Sequence, residues 1–338
     1  MTALHEIGDL PLRLGGVLRS VTLAAITRGR LAPDGRNAVL VTHGYTSAHT
    51  FIEGGAGASE GGWGALVGPG RAIDTDRFFI VSSNMIGSAF GSTAPRSLNP
   101  ATGRPYGPDF PPITLTDIVA AQRRLLEKLG VRGLHAVVGP SYGGFQAFTW
   151  GVEHPDFLRG LVAAVSGLTS PRALDPSPLA ARLATDPNWN DGHYYERPGG
   201  VLATMMAVRE ETLRRYGIEA ELARRLPDRP ARDAEIQRRA RAWAEAADAH
   251  SLLVLGRALD HYDVRGQLSQ LRARVLYVLS RTDALFPPTL AAEVMPALAA
   301  AGVSAGYAEI DSKDGHMASG TDAAKWAPAL RQFMDSLA

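Results

Sequence analysis

The amino-acid sequence predicts an α/β fold with a mostly parallel central sheet in a chain of 338 residues. The first observation is a series of short apolar runs that end in Gly-rich or polar loops, which is typical of buried parallel strands. The second is helical periodicity between those runs, because strand–helix alternation is characteristic of α/β proteins. The third is a long segment rich in Arg, Glu and Ala, which indicates a helical insertion into the core.

The elements follow in order along the chain. Residues 17–26 are rich in β-branched and aliphatic side chains and predict a strand, and Pro-Asp-Gly at 33–35 predicts a turn. A helix is predicted over 116–129, because it opens with Thr-Asp and stops at Gly130. Apolar runs predict the remaining strands at 38–42, 78–82, 134–138, 161–165, 275–279 and 305–310.

The chain therefore divides into a core in two parts, 1–170 and 265–338, with a helical lid inserted at 171–264. Within the lid, Arg238, Arg239 and Arg241 are interpreted as a solvated helix face rather than an anion site. The loop at 54–70 is rich in Gly but lacks the spacing of a phosphate-binding loop, and no chemistry is assigned to it.

Composition excludes several classes of protein. The 35 basic and 34 acidic residues leave a net charge of +1, which provides no electrostatic footprint for nucleic acid or an anionic membrane. The absence of Cys excludes thiol nucleophiles, disulfides and Cys-based metal sites. No metal or nucleotide motif is present, and no run is long enough to be a signal peptide or a membrane span. We expect a cytoplasmic protein without a metal or cofactor.

The sharpest motif is Gly-Pro-Ser-Tyr-Gly-Gly at 139–144, which lies between a predicted strand and a predicted helix. A G-x-S-x-G sequence in that setting predicts a nucleophile elbow, a tight turn that exposes Ser141 above the carboxyl ends of the strands. A serine hydroxyl is a weak nucleophile and needs an activating base.

The acid and the base are expected to follow the Ser along the chain. Asp283 comes directly after the strand at 275–279, so its carboxylate is predicted at the same sheet edge as Ser141. Asp311 and Asp314 are competitors for the acid, but both lie close in sequence to the candidate base. That base is His316, the only His after Asp283.

Two other histidines are weaker candidates for a role in the site. His154 is expected to end a helix, and His43 is expected to shape a neighbouring loop. That loop follows the strand at 38–42 and is predicted to supply one backbone N–H of an oxyanion hole, from Tyr45 or from its rival Thr46. We choose Tyr45, and the second donor is predicted to be the N–H of Tyr142, directly after the nucleophile.

At these residues the chain resembles the homoserine O-acetyltransferase family of the α/β-hydrolase superfamily. The elbow is similar to that family's Gly-Gly-Ser-Met-Gly-Gly, although Pro140 and Tyr142 replace Gly and Met. The resemblance spans nearly the whole chain. The other stretches that carry it are 37–49, 91–131, 186–195, 248–264 and 280–288.

This resemblance implies an α/β-hydrolase fold with a helical lid, an active-site tunnel and often a homodimer formed through the lid. It also implies a ping-pong reaction in which Ser141 accepts an acetyl group, with acetyl-CoA as co-substrate if the enzyme is a transferase. It supports Asp283 and His316 as the partners of Ser141.

Two departures from the family concern the substrate. The family usually follows its catalytic His with an Asp that contacts the amino group of homoserine, but this chain has Met317. The family's first lid helix usually carries an Arg for the substrate carboxylate, but 201–206 has none, and Arg209 is a possible substitute. Each lost hydrogen bond to a charged group should cost about 1.5–3 kcal/mol of the free energy with which the amino-acid substrate is bound.

The sequence therefore predicts a serine enzyme that hydrolyses short-chain, acetyl-type carboxylic esters. The alternative is an acetyl-CoA-dependent O-acetyltransferase that acts on homoserine or a similar alcohol. A non-catalytic binding module on the same fold is a remote third possibility.

Overall fold

The computed structural model describes residues 1–53 and 61–337, so residues 54–60 of the predicted Gly-rich loop lie outside the described part. Within the described residues, eight strands form the main sheet, and two short strands, β4 and β5, form a second sheet. The strands are β1 (Ala3–Pro11), β2 (Val17–Arg28), β3 (Ala38–Val41), β4 (Val67–Gly68), β5 (Ile73–Asp74), β6 (Phe79–Ser83), β7 (Leu134–Pro140), β8 (Leu158–Ala164), β9 (Arg274–Ser280) and β10 (Ala305–Ile310).

The main sheet has the order β1-β2-β6-β3-β7-β8-β9-β10. From β6 to β10 every neighbouring pair is parallel, whereas β1 and β2 join one edge in antiparallel fashion. The predicted α/β class and the mostly parallel sheet are confirmed. Because the parallel strands share one direction, the loops after β3, β7, β9 and β10 emerge at one edge of the sheet.

Helices cover both faces of this sheet. Successive residues of a strand point to opposite faces, and accordingly Val137 belongs to the apolar cluster of α1 and α2, whereas Val138 belongs to the cluster that includes Phe333 of α10. The helices are α1 (Leu115–Lys128), α2 (Tyr142–Glu153), α3 (Ser177–Ala184), α4 (Leu202–Tyr216), α5 (Ile218–Ala223), α6 (Arg229–Ala246), α7 (Ala249–Arg257), α8 (Ala291–Ala300), α9 (Ala318–Thr321) and α10 (Ala327–Asp335).

The lid segment, residues 171–264, contains α3 to α7 between strands β8 and β9. It has an apolar cluster of its own, in which Leu183, Met205, Trp243 and Leu253 are buried. None of the helices described in residues 1–53 and 61–337 combines the length and the apolar character needed to cross a membrane.

Strand β1 is absent from the sequence prediction. It pairs with β2 through two register shifts around Gly8, and Leu10 is its one fully buried residue among mostly exposed neighbours. Such bulges break the two-residue alternation by which a half-buried strand is recognised, so this edge strand leaves little periodic signal.

Candidate active site

Ser141 occupies a strained turn between β7, which ends at Pro140, and α2, which begins at Tyr142. Its backbone has φ 55° and ψ −122°, and its side chain does not cap the helix. A non-Gly residue with positive φ costs about 1–3 kcal/mol and persists where the surrounding structure enforces it. This geometry is that of a nucleophile elbow.

The glycines of the elbow allow close packing beneath Ser141. A Cβ atom on Gly139 would lie 2.1 Å from Thr42 Oγ1, and one on Gly144 would lie 2.4 Å from Ser166 Cβ. Real Cβ atoms do not approach other atoms so closely. The G-x-S-x-G-G sequence is therefore required by the packing of β7 and α2 against β3 and β8.

His316 and Asp283 form a buried pair at the same edge of the sheet. His316 lies in a short 3₁₀ turn, Gly315–Met317, after β10, and its Nδ1 is 2.8 Å from Asp283 Oδ2. The other carboxylate oxygen, Oδ1, accepts hydrogen bonds from the backbone N–H groups of Leu285 (2.8 Å) and Phe286 (3.2 Å). The carboxylate is thus fixed in place and orients the imidazole.

The two competing aspartates are engaged elsewhere. Asp311 is largely exposed and pairs with Arg281 at 2.7 Å. Asp314 is buried, and both of its carboxylate oxygens accept hydrogen bonds from Arg224 of the lid. Of the three candidates, the structure brings Asp283 to His316.

Ser141 and His316 line one small cavity of about 50 Å³. Tyr45 and Tyr216 also line it, as does Met317, which is only 3% exposed. The described lining residues are Gly44, Tyr45, Thr46, Ser47, Phe51, Gly61, Pro140, Ser141, Val165, Tyr216, His316, Met317 and Ser319. The structure therefore brings the predicted nucleophile, base and acid together.

A larger cavity of about 400 Å³ shares Tyr45, Thr46 and Tyr216 with the small cavity of Ser141 and His316, here called the inner cavity. Its other walls come mostly from the lid and include Trp243. A substrate that reaches Ser141 through this space would pass between the lid and the loop after β3.

The two predicted oxyanion-hole residues are anchored to one helix of the lid. The Tyr142 N–H belongs to the first turn of α2, where backbone N–H groups lack intrahelical acceptors. The rings of Tyr45 and Tyr142 stack 5.9 Å apart, and their phenols donate to the carbonyls of Leu252 (2.5 Å) and Leu255 (3.1 Å) in α7. Burial raises the pKa of both phenols, which keeps them neutral donors.

Neither His43 nor His154 is among the described residues that line the cavity of Ser141 and His316. His43 is buried, and burial lowers its pKa to about 4, so it is neutral at pH 7. Its Nδ1 lies 3.0 Å from the carbonyl oxygen of Gly44, which places it within the loop that carries Tyr45. His154 ends helix α2 and packs on Trp150, with ring centroids 5.0 Å apart.

The two predicted substrate contacts differ in position. Met317 reaches the cavity, but among the described residues Arg209 lines neither that cavity nor the larger one. Arg209 is buried in α4 with its guanidinium 4.7 Å from the centre of the Trp243 ring, and burial lowers its pKa to about 10. In the Arg-free stretch at 201–206, Thr204 donates a hydrogen bond to Asp186.

Sequence reasoning missed two neighbours of His316. The rings of Tyr216 and Phe286 lie 4.8 Å and 5.6 Å from the imidazole. Tyr216 is the last residue of α4, followed by Gly217 in a left-handed conformation. This ending is an ordinary helix C-terminus, so no local signal connects it to the site.

The fold and this site define the class of protein, an α/β-hydrolase. A family model described as alpha/beta hydrolase fold matches residues 50–323. A homoserine O-acetyltransferase of Geobacter sulfurreducens is 36% identical over 351 residues, covering 96% of this chain and 94% of the relative. A homoserine O-succinyltransferase of Leptothrix cholodnii is 36% identical over 362 residues, covering 97% and 94%.

The chain belongs to the homoserine O-acetyltransferase family of the α/β-hydrolase superfamily, and it is an enzyme with hydrolase or acyltransferase activity. Among solved structures, esterase E22 superposes with a TM-score of 0.87 at 26% identity and 99% coverage of both chains. In the described residues, no group of three or more His, Cys, Asp or Glu is arranged to hold a metal ion.

Proposed function

We propose that this enzyme hydrolyses small carboxylic esters of acetyl type through an acyl-enzyme on Ser141. The observation that carries the proposal is the small cavity shared by Ser141 and His316, which the apolar residue Met317 also lines. Its volume of about 50 Å³ favours a small acyl group.

In the first half-reaction, the Ser141 hydroxyl attacks the ester carbonyl while His316 accepts its proton. Asp283 holds the imidazole through Nδ1 and stabilises the imidazolium that forms. The backbone N–H groups of Tyr45 and Tyr142 stabilise the oxyanion. His316 then protonates the leaving alcohol, and the acyl group remains on Ser141.

In the second half-reaction, His316 takes a proton from water, which attacks the acyl-enzyme. The carboxylic acid leaves and Ser141 recovers its proton. The same groups could deliver an alcohol in place of water, so the choice of acceptor depends on what the cavity can bind.

The chemistry of the inner cavity favours water over homoserine as the acceptor, whereas charged residues, among them Arg172 and Glu211, line only the larger cavity. An amino acid brings an ammonium and a carboxylate, and buried charges need charged or well-aligned polar partners. None of the described residues that line the inner cavity is an Asp, Glu, Lys or Arg. The Asp that the family resemblance places after the catalytic His is absent, since Met317 occupies that position.

The second candidate is acetyl-CoA-dependent acyl transfer to homoserine or a similar alcohol. The relatives favour it, because the homoserine O-acyltransferases match nearly the whole chain at 36% identity. The likeness to esterase E22 at 26% identity favours hydrolysis. Membership of an enzyme family sets aside the non-catalytic binding module.

A substrate panel separates the two candidates. The enzyme is given p-nitrophenyl acetate and longer p-nitrophenyl esters, and separately acetyl-CoA with homoserine or serine. We expect kcat/KM for p-nitrophenyl acetate to exceed that for homoserine acetylation by at least about 100-fold, because two charged contacts at about 1.5–3 kcal/mol each are missing. Acetylation of homoserine as efficient as ester hydrolysis would overturn the proposal and establish the second candidate.

Substitution of Met317 tests whether this residue selects water over homoserine as the acceptor. M317D places a carboxylate beside His316, where it could accept a hydrogen bond from an ammonium. We expect the ratio of homoserine acetylation to ester hydrolysis to rise at least about 10-fold, since a hydrogen bond to a charged group contributes about 1.5–3 kcal/mol and 1.4 kcal/mol is tenfold.

The matched control is M317L, which conserves volume and apolar character and should keep the wild-type ratio. Circular dichroism checks that both variants are folded. An unchanged ratio in folded M317D would show that Met317 does not select the acceptor.

A further inference from the structure

The turn that carries His316 is packed directly against the lid. A Cβ atom on Gly217, at the end of α4, would lie 2.8 Å from the carbonyl oxygen of Asp314. In the reverse direction, a Cβ on Gly315 would lie 2.9 Å from the carbonyl oxygen of Tyr216. Both glycines have positive φ. The two backbones therefore approach so closely that a movement of the lid here must move the turn.

An ion pair between the half-exposed Arg224 and the buried Asp314 joins the same two segments. Asp314 is fully buried two residues before His316, and Arg224, which follows α5 in the lid, binds both of its carboxylate oxygens, with Nη2 to Oδ2 at 2.6 Å. Burial alone would raise the pKa of Asp314, but hydrogen bonds from Arg224 and Thr321 and the positive charges of Arg224 and Lys325 together hold the pKa below its ordinary value. The carboxylate is thus charged, and Arg224 is the cation that binds both of its oxygens.

The turn is also tied to the core on its other side. The backbone N–H of Asp314 donates to Ser312 Oγ at 3.0 Å, and the N–H of Gly315 donates to Thr282 Oγ1 at 3.1 Å. Asp314 is therefore the residue at which the lid and the core are both attached to the His316 turn.

We propose that Arg224 is a positioning residue, which acts through Asp314 to hold His316 at Ser141. The inference rests on the proposed function of His316 as the base. Without Arg224, Asp314 would be a buried carboxylate without its cation, a costly arrangement that is relieved by turning the carboxylate toward solvent. The turn would then shift, and a displacement of about 1 Å at a catalytic group can cost up to about 100-fold in rate.

The test compares R224A with R225A. Arg225 is the adjacent residue and pairs with Glu221 inside the lid at 2.7 Å, so R225A removes the same charge without touching the His316 turn. With p-nitrophenyl acetate, we expect R224A to lower kcat between about 10-fold and 100-fold with KM changed less than about threefold, and R225A to leave both near wild type. R224K should recover part of kcat, because Lys keeps the charge but lacks the two-pronged geometry.

A second readout does not depend on the ester. Phosphonylation of Ser141 by a saturating fluorophosphonate also requires an oriented His316, and its rate should fall in R224A but not in R225A. If R224A fails to fold, the double variant R224A/D314N removes both charges of the pair, so that no buried carboxylate is left without its partner, and it should fold but remain slow. Wild-type rates in folded R224A or in the double variant would overturn the inference.

S141A in the same assay separates this inference from the proposed function. An inactive S141A with equal rates in R224A and R225A would overturn only the role of Arg224. An active S141A would overturn the proposed function itself.

Discussion

S141A is expected to lower kcat/KM for p-nitrophenyl acetate by about 10⁵-fold or more, the magnitude found when a triad nucleophile is removed. The reason is that no acyl-enzyme can form without the hydroxyl, and both half-reactions pass through it. Because Ala and Ser bear a similar cost at φ 55°, the variant should keep the wild-type fold and midpoint of thermal unfolding.

The matched control is S92A. Ser92 is also buried, but its hydroxyl donates to the carbonyl of Asn84 and accepts from the N–H of Ala24, outside the site. Its loss should cost about 1–3 kcal/mol of unfolding free energy and leave kcat/KM unchanged. The two variants thus separate activity from stability. Near-normal turnover in S141A, measured on protein purified free of contaminating esterase, would refute the assignment of the nucleophile.

H316A is expected to lower kcat/KM by a similar factor, about 10⁵-fold or more, because the hydroxyl of Ser141 then has no base and the leaving alcohol no acid. The effects of the two substitutions should not add. Groups that act as one unit lose their function together, so S141A/H316A should be about as slow as either single variant.

H154A serves as the control for removal of an imidazole. His154 ends α2 and packs on Trp150, away from the cavity. The kcat/KM of H154A should stay within about twofold of wild type, as expected for a residue outside the site. An H316A variant that keeps a wild-type rate, with its fold verified by circular dichroism, would contradict the role of His316.

Much of this candidate site follows from the sequence because each proposed reacting residue comes after a predicted strand. Ser141 follows β7, Asp283 follows β9 and His316 follows β10. In a parallel sheet the carboxyl ends of the strands meet at one edge, so the three side chains converge although 175 residues separate the first from the last. The position of each residue directly after a strand therefore predicts that the three side chains meet, without knowledge of the packing.

The lid side of the site could not be predicted in the same way. Tyr216 ends α4 and Arg224 follows α5, in a segment whose sequence indicates only charged, exposed helix faces. Their contacts with His316 and Asp314 arise from tertiary packing. Arg224 is one of many arginines in that segment, and nothing local distinguishes it from Arg225. Helical periodicity identifies a face but does not identify its partner.

The sequence and the relatives favour different acceptors for the acyl group. The substitution of Met317 for the family's Asp favours water, whereas the homoserine O-acyltransferases that match most of the chain favour an amino-acid alcohol. Both outcomes use the same acyl-enzyme. The nucleophile is therefore the part of the account on which everything else depends.

Covalent labelling gives a direct test of Ser141 as the nucleophile. The wild-type enzyme is titrated with a fluorophosphonate, the residual esterase activity is followed, and the modified peptide is identified by mass spectrometry. The account predicts one adduct per chain, on Ser141, formed in proportion to the loss of activity. An adduct on another residue that accounts for the inactivation, or full activity in a chain modified at Ser141, would contradict it.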